Sequence, residues 1–344
     1  MVQFLILLSA TLCGALLQFF SGVDIHTGDR GYEVLVSLLL AVGLYGSVRG
    51  IELSIVRTDL RRIALAISIG VFAKAALIGG LTNVLTGNLT LALMLGIALA
   101  QIDPVSVAAA LSGGGPRGPV VSPRAQNIIR AWCSFDDPVT ILMALALYSH
   151  LGAESGMNTS SFLGELLGNG ALVAGGGLAA LAARRIKGMG WVETPVLAAA
   201  LVVSAVYGLM LTPAILGLFL RPSIDRSLNM LTLGALYGSA FAVGLFLKGE
   251  AAVTMGMGVV VGAIVFCVHI VVAAPLSLGL PAKDRVFLAL AQQSGITAIL
   301  IALLFEQLKP GVVALAVPAI LIVNLLHLCT NRLVAHRIMR MPLD

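Results

Sequence analysis

Trp132-Cys133-Ser134-Phe135-Asp136-Asp137-Pro138-Val139-Thr140-Ile141-Leu142-Met143 sets two adjacent aspartates inside a stretch otherwise fit for a lipid bilayer. One ionised carboxylate at the bilayer centre costs about 2.5 to 3.5 kcal/mol on insertion scales. Two in succession also repel each other, so both cannot stand ionised and unpaired. A proton, a metal cation or a basic side chain must compensate them. One apolar segment earlier, Gln101-Ile102-Asp103-Pro104-Val105-Ser106 supplies a third acid, Asp103, followed by a proline that frees a backbone carbonyl. Buried carboxylates that must trade protons for cations imply ion-coupled transport.

Working outward, lipid is the only solvent that fits the composition. The 344 residues are 59% hydrophobic and 11% charged, with mean hydropathy +1.03. Soluble domains carry roughly 25% charged residues. Val2 to Phe20 lacks the basic start and small-residue cleavage site of a secretory signal, and reads as a first membrane helix. The four cysteines lie in apolar segments without C-x-x-C spacing, which argues against disulfides and zinc. The net charge of +5 forms no concentrated patch, so nucleic acid is not an expected partner.

At about 20 apolar residues per span, twelve segments emerge: 2–20, 33–48, 62–83, 89–111, 127–149, 161–183, 194–210, 212–221, 228–247, 251–279, 285–305 and 311–332. Thr212-Pro213 separates the seventh from the short eighth. With both termini cytoplasmic, 17 of the 21 basic residues fall inside, three outside, and Lys74 within a helix. Merging segments seven and eight would spoil that asymmetry.

The fold expected is an all-α membrane protein, a single integral unit over 1–344 of about 12 transmembrane helices. This parity runs helices three to five opposite to ten to twelve, an inverted-topology repeat. Such repeats place binding sites near the midplane, where discontinuous helices meet. Each half carries a candidate break: Asp103-Pro104 in helix four, and Gln292-Gln293-Ser294-Gly295-Ile296-Thr297 in helix eleven. Backbone out of helical bonding at membrane depth is tolerated only where buried in protein or facing water. Two discontinuous crossing helices around one cavity are therefore expected.

Together, Ile102-Asp103-Pro104-Val105-Ser106-Val107 and Phe135-Asp136-Asp137-Pro138, with the helix count, resemble the monovalent cation/proton antiporter superfamily over nearly the whole chain. The resemblance implies an ion-binding core (about 62–149 and 251–332) moving against a scaffold and dimerisation domain (about 2–48 and 194–247), elevator fashion, in a homodimer. It implies Asp137 as shared cation and proton carrier with Asp136 and Asp103 assisting. Function would be exchange of H+ for Na+, with Li+ or K+ as other substrates, serving pH homeostasis in a bacterial inner (plasma) membrane; no enzymatic activity and no cofactor is expected. Ser106, Gln292, Gln293, Ser294 and Thr297 are possible assisting groups. The chain departs from the family's pattern in three places. Ile102 stands where Thr is usual, and Gly262 to His269 lacks the usual basic residue. Gln293-Ser294-Gly295 replaces the common Arg-Gly. Lys74, midway along helix three, is a candidate replacement for the missing cation.

Rival classes fare worse. An intramembrane aspartyl protease needs its two acids on facing helices, and adjacent Asp136-Asp137 cannot face each other. Ser294 and His327 lack the glycine two positions before the serine that an intramembrane serine protease would show. A passive channel needs no titratable pair. A sodium-coupled organic-anion symporter is the main alternative, although it would not need adjacent aspartates.

Overall fold

The computed structural model describes residues 2–21, 30–49, 59–103, 107, 121–154, 162–185, 192–209, 211–220, scattered positions from 230 to 245, and 251–338. Among these, every regular element is helical. In chain order they are α1 (Val2–Ser21), α2 (Arg30–Arg49), α3 (Leu60–Thr86), α4 (Leu89–Leu99), α5 (Pro123–Glu154), α6 (Phe162–Arg185), α7 (Glu193–Tyr207), α8 (Leu211–Phe219), α9 (Ala251–Leu276), α10 (Ala282–Ala289), α11 (Ile296–Glu306) and α12 (Val312–Ile338). The expected segment 228–247 and residues Pro104 to Ser106 lie mostly or wholly outside the described residues.

Among the described residues, three helices, Leu60–Thr86, Thr254–Leu276 and Val312–Thr330, are long and apolar enough to cross a bilayer alone. Their outward faces carry exposed Phe72, Leu81, Val259, Val271 and Leu325. The hydrophobic effect does not draw such faces together in lipid, so packing must come from close backbone approach. A Cβ on Gly96 of α4 would lie 2.5 Å from the Ala75 carbonyl of α3. One on Gly262 of α9 would lie 2.6 Å from the Ala319 carbonyl of α12. Glycine lets these pairs of helices touch along their backbones. A π-helical turn over Ala66–Gly70 interrupts α3 without ending it.

Helix ends are satisfied locally. Gly87, at φ +63°, closes α3 by donating its N–H to the Asn83 carbonyl at 2.8 Å. Asn88 Oδ1 then caps α4 by accepting from Leu91 N–H at 3.0 Å. Between α7 and α8 the interruption falls at Gly208-Leu209, ahead of Thr212-Pro213. Those two residues instead form the first turn of α8, where proline lacks no needed donor. Asn169 of α6 stabilises this junction, its Oδ1 accepting from Thr212 N–H at 2.8 Å and Thr212 Oγ1 at 2.9 Å.

Two interruptions matter most. The apolar run expected over 89–111 stops being helical at Leu99, and the run expected over 285–305 divides into α10 and α11. The second break occupies Leu290 to Gly295, somewhat earlier than the polar stretch suggested, because Ile296 and Thr297 already belong to α11.

Candidate ion-binding site

The two non-helical stretches meet. Asp103 N–H donates to the Gln293 carbonyl at 2.9 Å, and Gln292 Nε2 donates to the Gln101 carbonyl at 2.8 Å. Backbone groups that left their own helices thus satisfy one another, as buried peptide groups must. The chain regains helical bonding past the first break, where Val107 N–H donates to the Asp103 carbonyl at 3.1 Å. Past the second, Ile299 N–H donates to the Gly295 carbonyl at 3.3 Å.

Gly295 opens α11 and is pressed against the carboxyl group of Asp103, which any Cβ at position 295 would overlap. The Asp103 carboxyl therefore sits at the N-terminus of an 11-residue helix, where exposed N–H groups and the helix dipole favour negative charge.

Helix α5 brings the acid pair to this crossing, and both Asp136 and Asp137 are wholly buried. Asp136 Oδ2 accepts from Ile102 N–H at 2.9 Å, while its Oδ1 is buried without a hydrogen-bond partner among the described residues. Asp137 Oδ2 accepts from Thr297 Oγ1 at 3.2 Å. Thr140 Oγ1 ties the group together, lying within 3.2 Å of Gln101 Oε1, 3.0 Å of the Asp136 carbonyl and 2.9 Å of the Asp137 carbonyl.

Lys74 of α3 is fully buried, so it does not snorkel toward the interface. Its ammonium donates to Gln292 Oε1 at 2.8 Å, and no ion pair with a carboxylate forms among the described residues. Gln292 accepts from Lys74 and donates to the first break, relaying a positive charge on α3 to the crossing.

The second break has its own support, from α12. Asn324 accepts from Ser294 N–H at 3.0 Å and donates to the Ser294 carbonyl at 2.8 Å. His327 contacts the Leu290 carbonyl through Nδ1 at 2.8 Å and Gln293 Nε2 through Nε2 at 2.7 Å. A carbonyl can only accept, so Nδ1 carries the proton and Nε2 offers its lone pair to the amide. His269 of α9 uses its Nε2–H on the Leu288 carbonyl at 2.9 Å and stacks on Trp132, ring centroids 5.4 Å apart.

Asp103, Asp136, Asp137, Lys74, Gln292, Gln293, Ser294 and Thr297 thus converge on one crossing. Ser106 lies outside the described residues. Sequence reasoning missed Thr140 and Gln101 as members, and gave Asn324 and His327 no role at the crossing. Thr140 had a signal: three and four residues beyond the acids, it shares their helical face. Asn324 and His327 had none, since their partners are peptide groups of a distant segment.

Chemically, the cluster offers carboxylate oxygens, a hydroxyl and backbone carbonyls, all hard ligands suited to an alkali cation. The same oxygens bind protons.

The transmembrane sodium/hydrogen exchanger family matches residues 6–220. The sodium proton antiporter MjNhaP1 from Methanocaldococcus jannaschii shares the fold with a TM-score of 0.72, at 15% identity, over 92% of this chain and 91% of that one. No curated protein sequence matches significantly. With well over half its length matched and its helical membrane fold shared with an antiporter, the chain belongs to the transmembrane sodium/hydrogen exchanger family of cation/proton antiporters.

Proposed function

We propose that Asp137 is the carboxylate that a proton and a monovalent cation occupy in turn, with Asp136 and Asp103 assisting. Na+ is the favoured cation, with Li+ and K+ as further substrates. One observation carries the reading: two helix interruptions hydrogen-bond to each other directly beside two buried aspartates.

Competition for the same oxygens is sufficient for exchange. At alkaline pH Asp137 loses its proton and a cation takes its place. A loaded or protonated site is close to neutral and can cross the barrier, whereas the empty, charged site is held back by its desolvation cost. Lys74 acts as a resident counter-ion, compensating the supporting carboxylates through Gln292. Helices within about 62–149 and 251–332 form the moving core, and those within about 2–48 and 194–247 the dimerising scaffold. Access alternates as the core slides, in a bacterial inner membrane with both termini cytoplasmic.

The test is exchange in proteoliposomes with an imposed pH gradient, a fluorescent pH reporter, and separate additions of Na+, Li+, K+ and choline. Wild-type protein should discharge the gradient on adding an alkali cation but not choline. Asp137→Asn should fall to the level of protein-free vesicles while keeping its helical circular-dichroism spectrum; retained exchange in that variant would overturn the assignment.

A further inference from the structure

A second site lies away from the crossing, where α3 begins and α9 ends. There a cavity of about 330 Å3 is lined by Asp59, Arg61, Arg62, Leu65, Pro275, Leu276 and Leu278. We infer that this cavity holds the phosphodiester head group of an anionic phospholipid, with Arg61 as the recognising cation.

Its charge balance is legible residue by residue. The Asp59 carboxylate accepts from Arg124 Nε at 2.8 Å and Nη2 at 2.6 Å, and from Arg62 Nη1 at 3.4 Å. The other arm of Arg62 donates to the Leu278 carbonyl at 2.8 Å. The single acid is therefore neutralised by its two arginines. Arg61 lines the same cavity, is exposed, and has no hydrogen-bond or ionic partner among the described residues. One uncommitted guanidinium remains, a planar fork suited to a phosphate.

The walls distinguish a lipid from a soluble phosphate. Four of the seven lining residues are apolar, and Leu65 and Leu278 are exposed. Below them the same two helices continue with exposed Ile69 and Phe72 on α3 and exposed Val271 on α9. Both helices are long and apolar enough to span a bilayer, so this strip faces acyl chains while the arginines stand at its rim. A free phosphate would use the guanidinium and leave the apolar floor wet. A phospholipid fits both halves, the head at Arg61 and the chains along Leu65, Ile69 and Phe72.

The experiment follows thermal unfolding of the purified full-length protein in uncharged detergent by tryptophan fluorescence, titrating phosphatidylglycerol, phosphatidylcholine or inorganic phosphate. Phosphatidylglycerol should raise the midpoint more than phosphatidylcholine, and inorganic phosphate should leave it unmoved. Arg61→Gln should need about fivefold more phosphatidylglycerol for the same rise, the worth of one interfacial basic residue. Arg61→Lys should keep most of the response, and Arg285→Gln, outside the cavity, should match wild type. The inference fails if Arg61→Gln follows the wild-type curve, if the two lipids act alike, or if inorganic phosphate reproduces the full rise.

Discussion

The two helix interruptions at the crossing are built on different principles. The first, Ala100 to Asp103, is built around acids, its own Asp103 and the Asp136 carboxyl on Ile102 N–H, with the Thr140 hydroxyl against the Gln101 side chain. The second, Leu290 to Gly295, bears no ionised side chain of its own and is held by amides and an imidazole, Asn324 and His327 from α12, with Lys74 reaching Gln292 from α3. Opened backbone at membrane depth can be stabilised either way. Only the acidic arrangement offers oxygens of the kind that bind either a proton or an alkali cation. The neutral break holds its partner in place and presents the N-terminus of α11 to the acids.

That contrast can be broken at Gly295, where the two halves touch. Gly295→Ala drives a methyl group into the Asp103 carboxyl. Overpacking of this kind typically costs about 1 to 3 kcal/mol, and here it also displaces an acid of the crossing. Thermal unfolding should show the loss, and liposome assays should show exchange reduced to near background. Adding Asp103→Ala should restore stability without restoring exchange. If stability stays low in the double variant, the contact is not the cause.

A smaller effect is expected at Asn324. Asn324→Leu strands the Ser294 N–H and carbonyl, at about 1 to 3 kcal/mol for each buried group left unpaired. Because Ser294 adjoins Gly295, the apparent KM for cation should rise more than the maximal rate falls. An unchanged KM in a destabilised variant would reduce α12 to scaffolding.

Lys74 separates the two breaks electrostatically. Lys74→Met removes the buried ammonium that donates to Gln292 Oε1. The pH profile of exchange in proteoliposomes should move from its wild-type position. A profile that stays in place would dismiss Lys74 as a counter-ion.

The smallest effect belongs to the rim. The Arg124 guanidinium hydrogen-bonded to Asp59 holds that carboxyl below its ordinary value of 3.8. A group lowered on folding contributes stability above its unfolded pKa and loses it as pH falls through the folded one. Asp59→Asn should therefore cost less than about 1 kcal/mol, as surface pairs do, evenly between pH 5 and 9. The difference from wild type should vanish as pH drops below the ordinary carboxylate range. A cost confined to alkaline pH would contradict this account.

Much of this contrast was legible in residues alone, unevenly. Asp-Asp within an apolar run and Asp-Pro in the preceding one are costly in lipid, so they mark the acidic break. Gln292-Gln293-Ser294-Gly295 marks the neutral break less sharply, and its boundaries fell earlier than the polar residues suggested, with Thr297 already helical. The expected Thr212-Pro213 boundary also shifted, since proline is welcome in the first turn that follows a break.

The sequence by itself determined the solvent, the helical class and which carboxylates would demand compensation. Those conclusions follow from transfer energies and helical periodicity, which act residue by residue. Only the tertiary structure decided that Lys74 reaches Gln292, that Asn324 and His327 hold the second break, and that position 295 must be glycine. These depend on which distant backbone arrives beside which side chain, a property of helix packing that local composition does not encode.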